Sequence, residues 1–443
     1  MSRSNTPTAE ALQLQDSETP AGEEVQLRVL EASDSDTSTA SSDSEDQTYV
    51  DRTKSSVEKL PEAKPAVTPP TKVLFLDGVR GLAAILVVTQ HSKEYMQSLN
   101  LGAVAVDAFF VLSSFLLTWL FMKKSMKLLA QGAGVRSWAF ALVDYFQKRF
   151  FRVYPLFALT AMVVSRLPFE DQHRYFLVKY PGEFALDQVL TFEFNHRQFV
   201  LWTLPLEIAY YFVIPVFVLA ILKMNRFWWV AYRTSHMPLR PHIPTFLAGS
   251  LAAVVFVKLD LWVKRTGVEF RWWHTLLLRA VEGVVIAVLL SVCFIGLFFD
   301  WVHANPVPTA KGFPFVSALL TTIFVIEMLR PSCVSAMFEW SVLRYWGKIS
   351  FSVYLLHSFV IWNPTISAQP KYFNRLFARV FLILLLATAS YHVVERPSQL
   401  LAQRISRFLA ARGAKQPGER GLVRFTCMER IAMRKRRAGV EMK

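Results

Sequence analysis

Charge is what this 443-residue chain has little of. Asp, Glu, Lys and Arg together make up 19% of it. Soluble domains average about 25%, so the deficit argues against a soluble globular protein. Cysteine is scarcer still. Cys293, Cys333 and Cys427 are scattered, with neither the density of a disulfide framework nor the spacing of a metal site. No apolar run follows a basic start at the N-terminus, so no cleavable signal peptide is expected. No internal repeat recurs, and no two interrupted apolar segments occupy corresponding positions. That speaks against the repeat-built transporters.

What the chain has instead is apolar length. It is 53% hydrophobic and 14% aromatic, with mean hydropathy +0.30. Nine apolar segments follow one another, at about 73–91, 103–122, 151–166, 202–222, 243–259, 280–299, 313–329, 345–362 and 376–394. They read as membrane-spanning helices. The fold class expected is all-α: a polytopic transmembrane helix bundle of about ten spans, preceded by a disordered tail. Residues 1–71 form the tail, 72–400 the membrane domain, and 401–443 a basic cytoplasmic tail.

Loop charge orients the bundle. Residues 123–152 carry 7 basic and 1 acidic side chains, which places them in the cytoplasm. Residues 167–201, with 3 basic and 5 acidic, fit the outer side, and 223–240, with 4 basic and none acidic, fit the cytoplasm again. The segment 401–443, with 12 basic and 3 acidic, belongs there too. Both tails then lie on one side, which needs an even number of spans. The tenth is expected within 223–278. The net charge of +15 sits beside apolar runs. It therefore reads as positive-inside topology and contact with anionic lipid, with no nucleic-acid partner. Residues 1–50 are the exception, with 2 basic and 11 acidic side chains. So polar a tail cannot bury enough apolar surface to fold.

The first segment carries charge where a span should not. Arg80 and His91 are eleven residues apart, which on a helix is a rise of roughly 16 Å and a net rotation of about 20°. Both therefore lie on one face, and Asp77, one turn below Arg80, can pair with it. Ionisable groups inside a span usually line a polar path or pair with each other; taken alone, Arg80 fits a snorkelling anchor and His91 an interfacial residue equally well.

Asp77-Gly78-Val79-Arg80-Gly81-Leu82-Ala83-Ala84, followed by His91, resembles the first helix of the acyltransferase 3 family of integral-membrane acyltransferases. Four further blocks resemble that family in order. Asp107-Ala108-Phe109-Phe110-Val111-Leu112-Ser113-Ser114-Phe115 has Ser114 where the family usually has Gly. Asp107 is expected to be structural, pairing with Arg80 or His91 or fixing a turn. Arg149-Phe150-Phe151-Arg152-Val153-Tyr154-Pro155 sets two guanidinium groups one turn apart. They can grip the phosphates of coenzyme A or serve as an ordinary basic anchor, and the resemblance favours the first. Trp202-Thr203-Leu204-Pro205-Leu206-Glu207 places Glu207 at the outer end of its helix, the same depth as His91. Gly347-Lys348-Ile349-Ser350-Phe351-Ser352-Val353-Tyr354-Leu355-Leu356-His357 sets Tyr354 and His357 one turn apart. These two line the acceptor pocket or serve packing. Glu395-Arg396-Pro397 resembles the family's closing Glu-x-Pro and is read as structural.

The resemblance implies a membrane O-acyltransferase. Its co-substrate would be an acyl-CoA, with acetyl-CoA the expected one, entering from the cytoplasm past Arg149, Arg152 and Arg80. The acceptor would be a hydroxyl of a sugar, lipid or hydrophobic metabolite. His91 would act as general base or transient acyl carrier, and Glu207 would orient it. No metal and no bound cofactor is expected. The acidic Ser-rich tail suggests a eukaryote, and fungal relatives of the family bring secondary-metabolite biosynthesis or cell-wall glycans into view. A transporter or channel built on the same charged helix, and a silent scaffold acting through its tails, are the alternatives.

Overall fold

The computed structural model describes residues 74–94, 99, 101–192, 199–224, 242–304 and 315–413. The described chain is helical, with no strand among the described residues. The acidic tail 1–71 and residues 414–443 lie outside the described residues.

Helix α1 (Leu74–His91) opens with Asp77 in its first turn and closes on His91. A carboxylate suits a helix start and a basic group suits its end. α2 (Leu101–Ala130) returns beside it, and the Gly102 amide donates to Gln90 Oε1 at 3.4 Å. α3 (Val135–Ser165) lies antiparallel to the end of α2, where Phe121 meets Tyr145 and Lys124 meets Asp144. Short helices α4 (Phe169–Phe176) and α5 (Leu186–Leu190) follow, then a 3-10 turn over Phe199–Trp202 that leads into α6 (Thr203–Met224). α7 (Ile243–Thr266), α8 (Trp272–Cys293), α9 (Asp300–Ala304) and α10 (Phe315–Leu329) come next. α11 (Cys333–Phe338), α12 (Ser341–Lys348), α13 (Ser350–Ile361), α14 (Pro364–Ser367), α15 (Tyr372–Ser390) and α16 (Arg396–Gly413) complete the chain. A π turn over Tyr391–Glu395 joins α15 to α16.

Six helical stretches are long and apolar enough to cross a membrane: Leu74–His91, Leu101–Ala130, Phe199–Lys223, Ile243–Thr266, Trp272–Cys293 and Tyr372–Arg412. Phe315–Leu329 and Ser350–Ile361 are apolar but shorter. Three details differ from the apolar runs of the sequence. The segment at 151–166 is the second half of α3, whose middle carries Lys148, Arg149 and Arg152, and α3 is not among the six. The segment at 345–362 is two helices, broken at Ile349. α16 spans the expected boundary at 400, so the described start of the basic tail is helical.

Helix directions bear on the tenth span. Phe110 meets Trp202 and Phe246, Ser113 meets Glu207, and Tyr210 meets Ser250. α2, α6 and α7 are therefore parallel. Met224 at the end of α6 and His242 at the start of α7 lie toward opposite ends of the bundle. Residues 225–241, part of the 223–278 stretch in which the tenth crossing is expected, lie outside the described residues.

Small residues bring the backbones together. A Cβ at Gly78 would collide with the Phe338 carbonyl, one at Gly81 with that of Leu343, and one at Gly347 with that of Asp77. Close approach of this kind is a principal source of attraction between helices in lipid. Ser114, the departure from the family's Gly, is offset across the interface. It faces Gly249 of α7, where a Cβ would collide with the Ser114 hydroxyl. That hydroxyl donates back to Phe110 O (2.9 Å) and Val111 O (3.1 Å), so it brings no unpaired donor into the contact.

Buried charges find partners across helices. Arg279 of α8 bridges Glu282 and Glu327, its Nη1 lying 2.6 Å from Glu327 Oε1. Glu327 also accepts from the Ser332 and Ser335 amides (3.0 and 3.2 Å) and so caps α11. Ser352 of α13 donates to the buried Glu395 carboxylate. On the side assigned to the cytoplasm, Asp144 takes Lys124 Nζ (2.5 Å), Lys148 Nζ (3.2 Å) and Ser406 Oγ (2.5 Å). Gln147 adds bonds to Ser406 Oγ (2.7 Å) and Ala402 O (3.0 Å). This cluster docks α16 on α3.

Two predictions follow from this packing. Gly81→Ala should cost roughly 1–3 kcal/mol by overpacking and lower the melting temperature in detergent. Gly283→Ala in α8, where a Cβ meets nothing within 4 Å, should leave it unchanged or raise it. For Asp144, burial would raise its pKa, but the charges of Lys148 and Lys124 and the bonds from Lys124 and Ser406 outweigh it and hold it below the usual value. A depressed carboxyl contributes stability above its unfolded pKa, about 3.9, and that stability is lost as pH falls through the folded value. Hydrogen exchange in α16 should therefore stay slow at pH 5, quicken well below pH 4, and be fast at pH 7 in Asp144→Asn.

Candidate active site

His91 is the last residue of α1 and is half-buried. Its Nδ1 lies 3.0 Å from Nε2 of His357, which α13 carries to the same end of the bundle. The two rings are nearly parallel, 15° between planes, with centroids 5.2 Å apart. His357 is 1% exposed, and its Nδ1 lies 3.0 Å from the Val353 carbonyl oxygen one turn back. Phe199, from the turn before α6, packs on both imidazoles at 4.7 and 5.1 Å. It does so with φ of +22°, a left-handed backbone that β-carbon-bearing residues seldom adopt. Trp362 closes over Phe199 at 4.5 Å.

Tyr354, one turn before His357, ties α13 to α6. Its hydroxyl lies 3.0 Å from Thr203 Oγ1 and donates at 3.4 Å to Val200 O. Phe109 packs on its ring at 5.9 Å. Just beyond His91, Glu94 lies 2.9 Å from Arg379 Nη1 and 3.3 Å from Arg375 Nε, which fixes the exit of α1 against α15.

Glu207 is on α6, and its partners differ from the expected one. Oε1 accepts from Ser113 Oγ (2.6 Å) and from the Tyr211 hydroxyl (2.7 Å). The hydrogen bond of His91 goes to His357. The expected Glu207–His91 pairing is thus replaced by two separate pairings, because α13 rather than α6 brings the polar ring beside His91. Arg149 is within electrostatic range of Tyr145 and Tyr211, and Arg152 of Tyr211 and Glu395. The two guanidinium groups thus stand near the tyrosine that holds Glu207.

Arg80 sits at the other end of α1, where its Nη1 donates to Asp77 Oδ1 at 3.3 Å. The pair is nearly buried, with side chains 11% and 8% exposed. Asp107, in the second turn of α2, is half-buried. Its carboxylate has no hydrogen bond or ion pair among the described residues, so it is paired with neither Arg80 nor His91. No cluster of three or more metal-ligating side chains occurs among the described residues.

Ser113, Thr203, Tyr211 and Phe199 had not been singled out from the sequence. The first two stand inside recognised blocks, and Tyr211 is one turn after Glu207. Phe199 carried no signal, since its role depends on the turn that aims it.

Residues 73–393 match the acyltransferase 3 family, described as an acyltransferase domain. The chain belongs to that family of acyltransferase domains, and six of its helical stretches are long and apolar enough to cross a membrane. It is 31% identical over 160 residues to "Protein 2 in picA locus" of Rhizobium radiobacter, covering 33% of this chain and 75% of that protein. It is 24% identical over 364 residues to "Putative peptidoglycan O-acetyltransferase YrhL" of Bacillus subtilis, covering 73% and 54%. Proteins of several Staphylococcus aureus strains named "Putative O-acetyltransferase" are 25% identical over 360 residues, covering 73% and 56%. The chain thus spans about half the length of these last relatives. No solved structure matches.

A bond to a charged acceptor is worth roughly 1.5–3 kcal/mol. Ser113→Ala and Tyr211→Phe each remove one from Glu207. Each should lower acyl transfer by about tenfold or more without loss of folded protein in size-exclusion chromatography.

Proposed function

We propose that this chain moves an acyl group from an acyl-CoA to a hydroxyl-bearing acceptor at the end of the bundle marked by His91. One observation carries the reading. Three blocks that resemble the family, on α1, α6 and α13 and up to 266 positions apart, meet there: His91 with His357, and Thr203 with Tyr354. An imidazole held among aromatic rings suits base catalysis or transient acylation near neutral pH. As base, His91 takes the hydroxyl proton, the oxygen forms a bond to the thioester carbon, the C–S bond breaks, and the thiolate takes the proton back.

Arg149 and Arg152 are the candidate grip on the coenzyme A phosphates, since guanidinium matches phosphate oxygens in geometry and charge. Arg80 lies toward the same basic side. The printed names of the Bacillus and Staphylococcus relatives support acetyl as the acyl group. The acceptor is a sugar, lipid or hydrophobic metabolite. Tyr354 and Glu207 stand where its hydroxyl groups would be held. The proposed topology has ten crossings with both tails cytoplasmic. Loop charge supports it, as do the opposed positions of Met224 and His242.

Detergent-purified protein given acetyl-CoA and a cell extract as acceptor pool should release coenzyme A. Loss of a general base costs roughly 10²–10⁴-fold, so His91→Ala should fall by that much and Glu207→Gln by less. Release that survives in His91→Ala overturns the assignment, and no release with any acyl-CoA overturns the function.

A further inference from the structure

The hydrogen bonds of His357 fix more than its position. A carbonyl oxygen can only accept, so the 3.0 Å contact between His357 Nδ1 and Val353 O places a proton on Nδ1. A second proton on Nε2 would make His357 a cation that is 1% exposed, with a carbonyl and an imidazole as its hydrogen-bond partners and no carboxylate. An isolated buried charge of that kind is costly. His357 is therefore neutral, and its Nε2 carries a lone pair. The 3.0 Å contact to His91 Nδ1 is then a bond in which His91 donates. Nε2 of His91 is left with its lone pair. It has no hydrogen-bond partner among the described residues, and it is not sealed from its surroundings.

We infer that His357 is a positioning residue: it holds His91 in the Nδ1–H tautomer and so makes Nε2 the nitrogen that meets the substrates. This rests on the reading of His91 as the acyl-transfer group. The relay runs from the Val353 carbonyl through two imidazoles, and its end partner is a neutral dipole. A carboxylate in that place would hold the proton on His91 more tightly. Here the imidazolium formed when Nε2 takes the acceptor's proton has no anion behind it, so it can return that proton to the departing thiolate. The Brønsted argument is the ordinary one: the best shuttle is neither too basic to give a proton back nor too acidic to take it. In other enzymes, removing the group that sets an imidazole's tautomer has cost roughly 10⁴-fold.

Histidine ¹⁵N NMR on wild-type protein in bilayers tests this, with the His91 signals assigned by their loss in His91→Gln. Nδ1 of His91 should be protonated and Nε2 bare at neutral pH. His357→Gln places a carbonyl acceptor near the old Nε2 position. It should keep that tautomer and keep kcat within about tenfold. His357→Leu should lose it, with kcat falling by roughly 10²-fold or more and KM for the acyl-CoA little changed. A wild-type His91 protonated at Nε2 overturns the inference, even if the leucine variant does not fold. Full activity in a folded His357→Leu, with His91→Ala dead, also overturns it while leaving His91 as the base. Activity in His91→Ala removes the reading on which both rest.

Discussion

A charged or hydrogen-bonding side chain placed in hydrocarbon has no water to turn to, so a partner inside the protein sharply lowers its cost. The pairings across this bundle follow that constraint. Arg80 folds back on Asp77, and Arg279 joins two glutamates across α8 and α10. Ser352 meets Glu395 between α13 and the π turn, and Asp144 gathers α2, α3 and α16. Breaking one partner from a buried pair leaves an uncompensated charge, which is far costlier than the pair is favourable. The pairings thus specify which helix lies against which.

The same constraint shapes the chemistry. His91 needs a nitrogen that is free and basic, yet every other polar atom around it needs a partner. A second histidine resolves the conflict, since a neutral imidazole both donates and accepts. His357 gives one hydrogen to its own helix backbone and leaves a lone pair for His91. The carboxylate is held separately, on Ser113 and Tyr211, and the two arginines lie within electrostatic range of Tyr211. The site so arranged separates a neutral proton relay from a charged region, and the account of donor and acceptor above uses one part for each.

Much of this was legible in the sequence. The eleven-residue spacing of Arg80 and His91 implies a shared face, and α1 is one unbroken helix from Leu74 to His91. The close approach at Gly78 and Gly81 was not read from the sequence, because the backbones they admit lie more than 250 positions later. The partner of Ser114 could not be read, because Gly249 lies on a helix with no motif of its own. Glu207 and His91 share an end of the bundle by charge topology, but depth does not fix azimuth. Rotation about the bundle axis decides that His357 rather than Glu207 reaches the imidazole. The break at Ile349 was hidden inside an apolar run, since hydropathy alone does not register a change of axis. α16 was hidden in a basic tail, because its docking depends on Asp144, more than 250 positions earlier.

The most direct test is a cryo-electron-microscopy map of the protein in lipid nanodiscs with a non-hydrolysable thioether analogue of acetyl-CoA. The account predicts the acyl carbon within reach of His91 Nε2, the pyrophosphate beside Arg149 and Arg152, and His357 still bonded to His91 Nδ1. An acyl group lodged away from His91, or phosphates bound at the opposite end of the bundle, would contradict it.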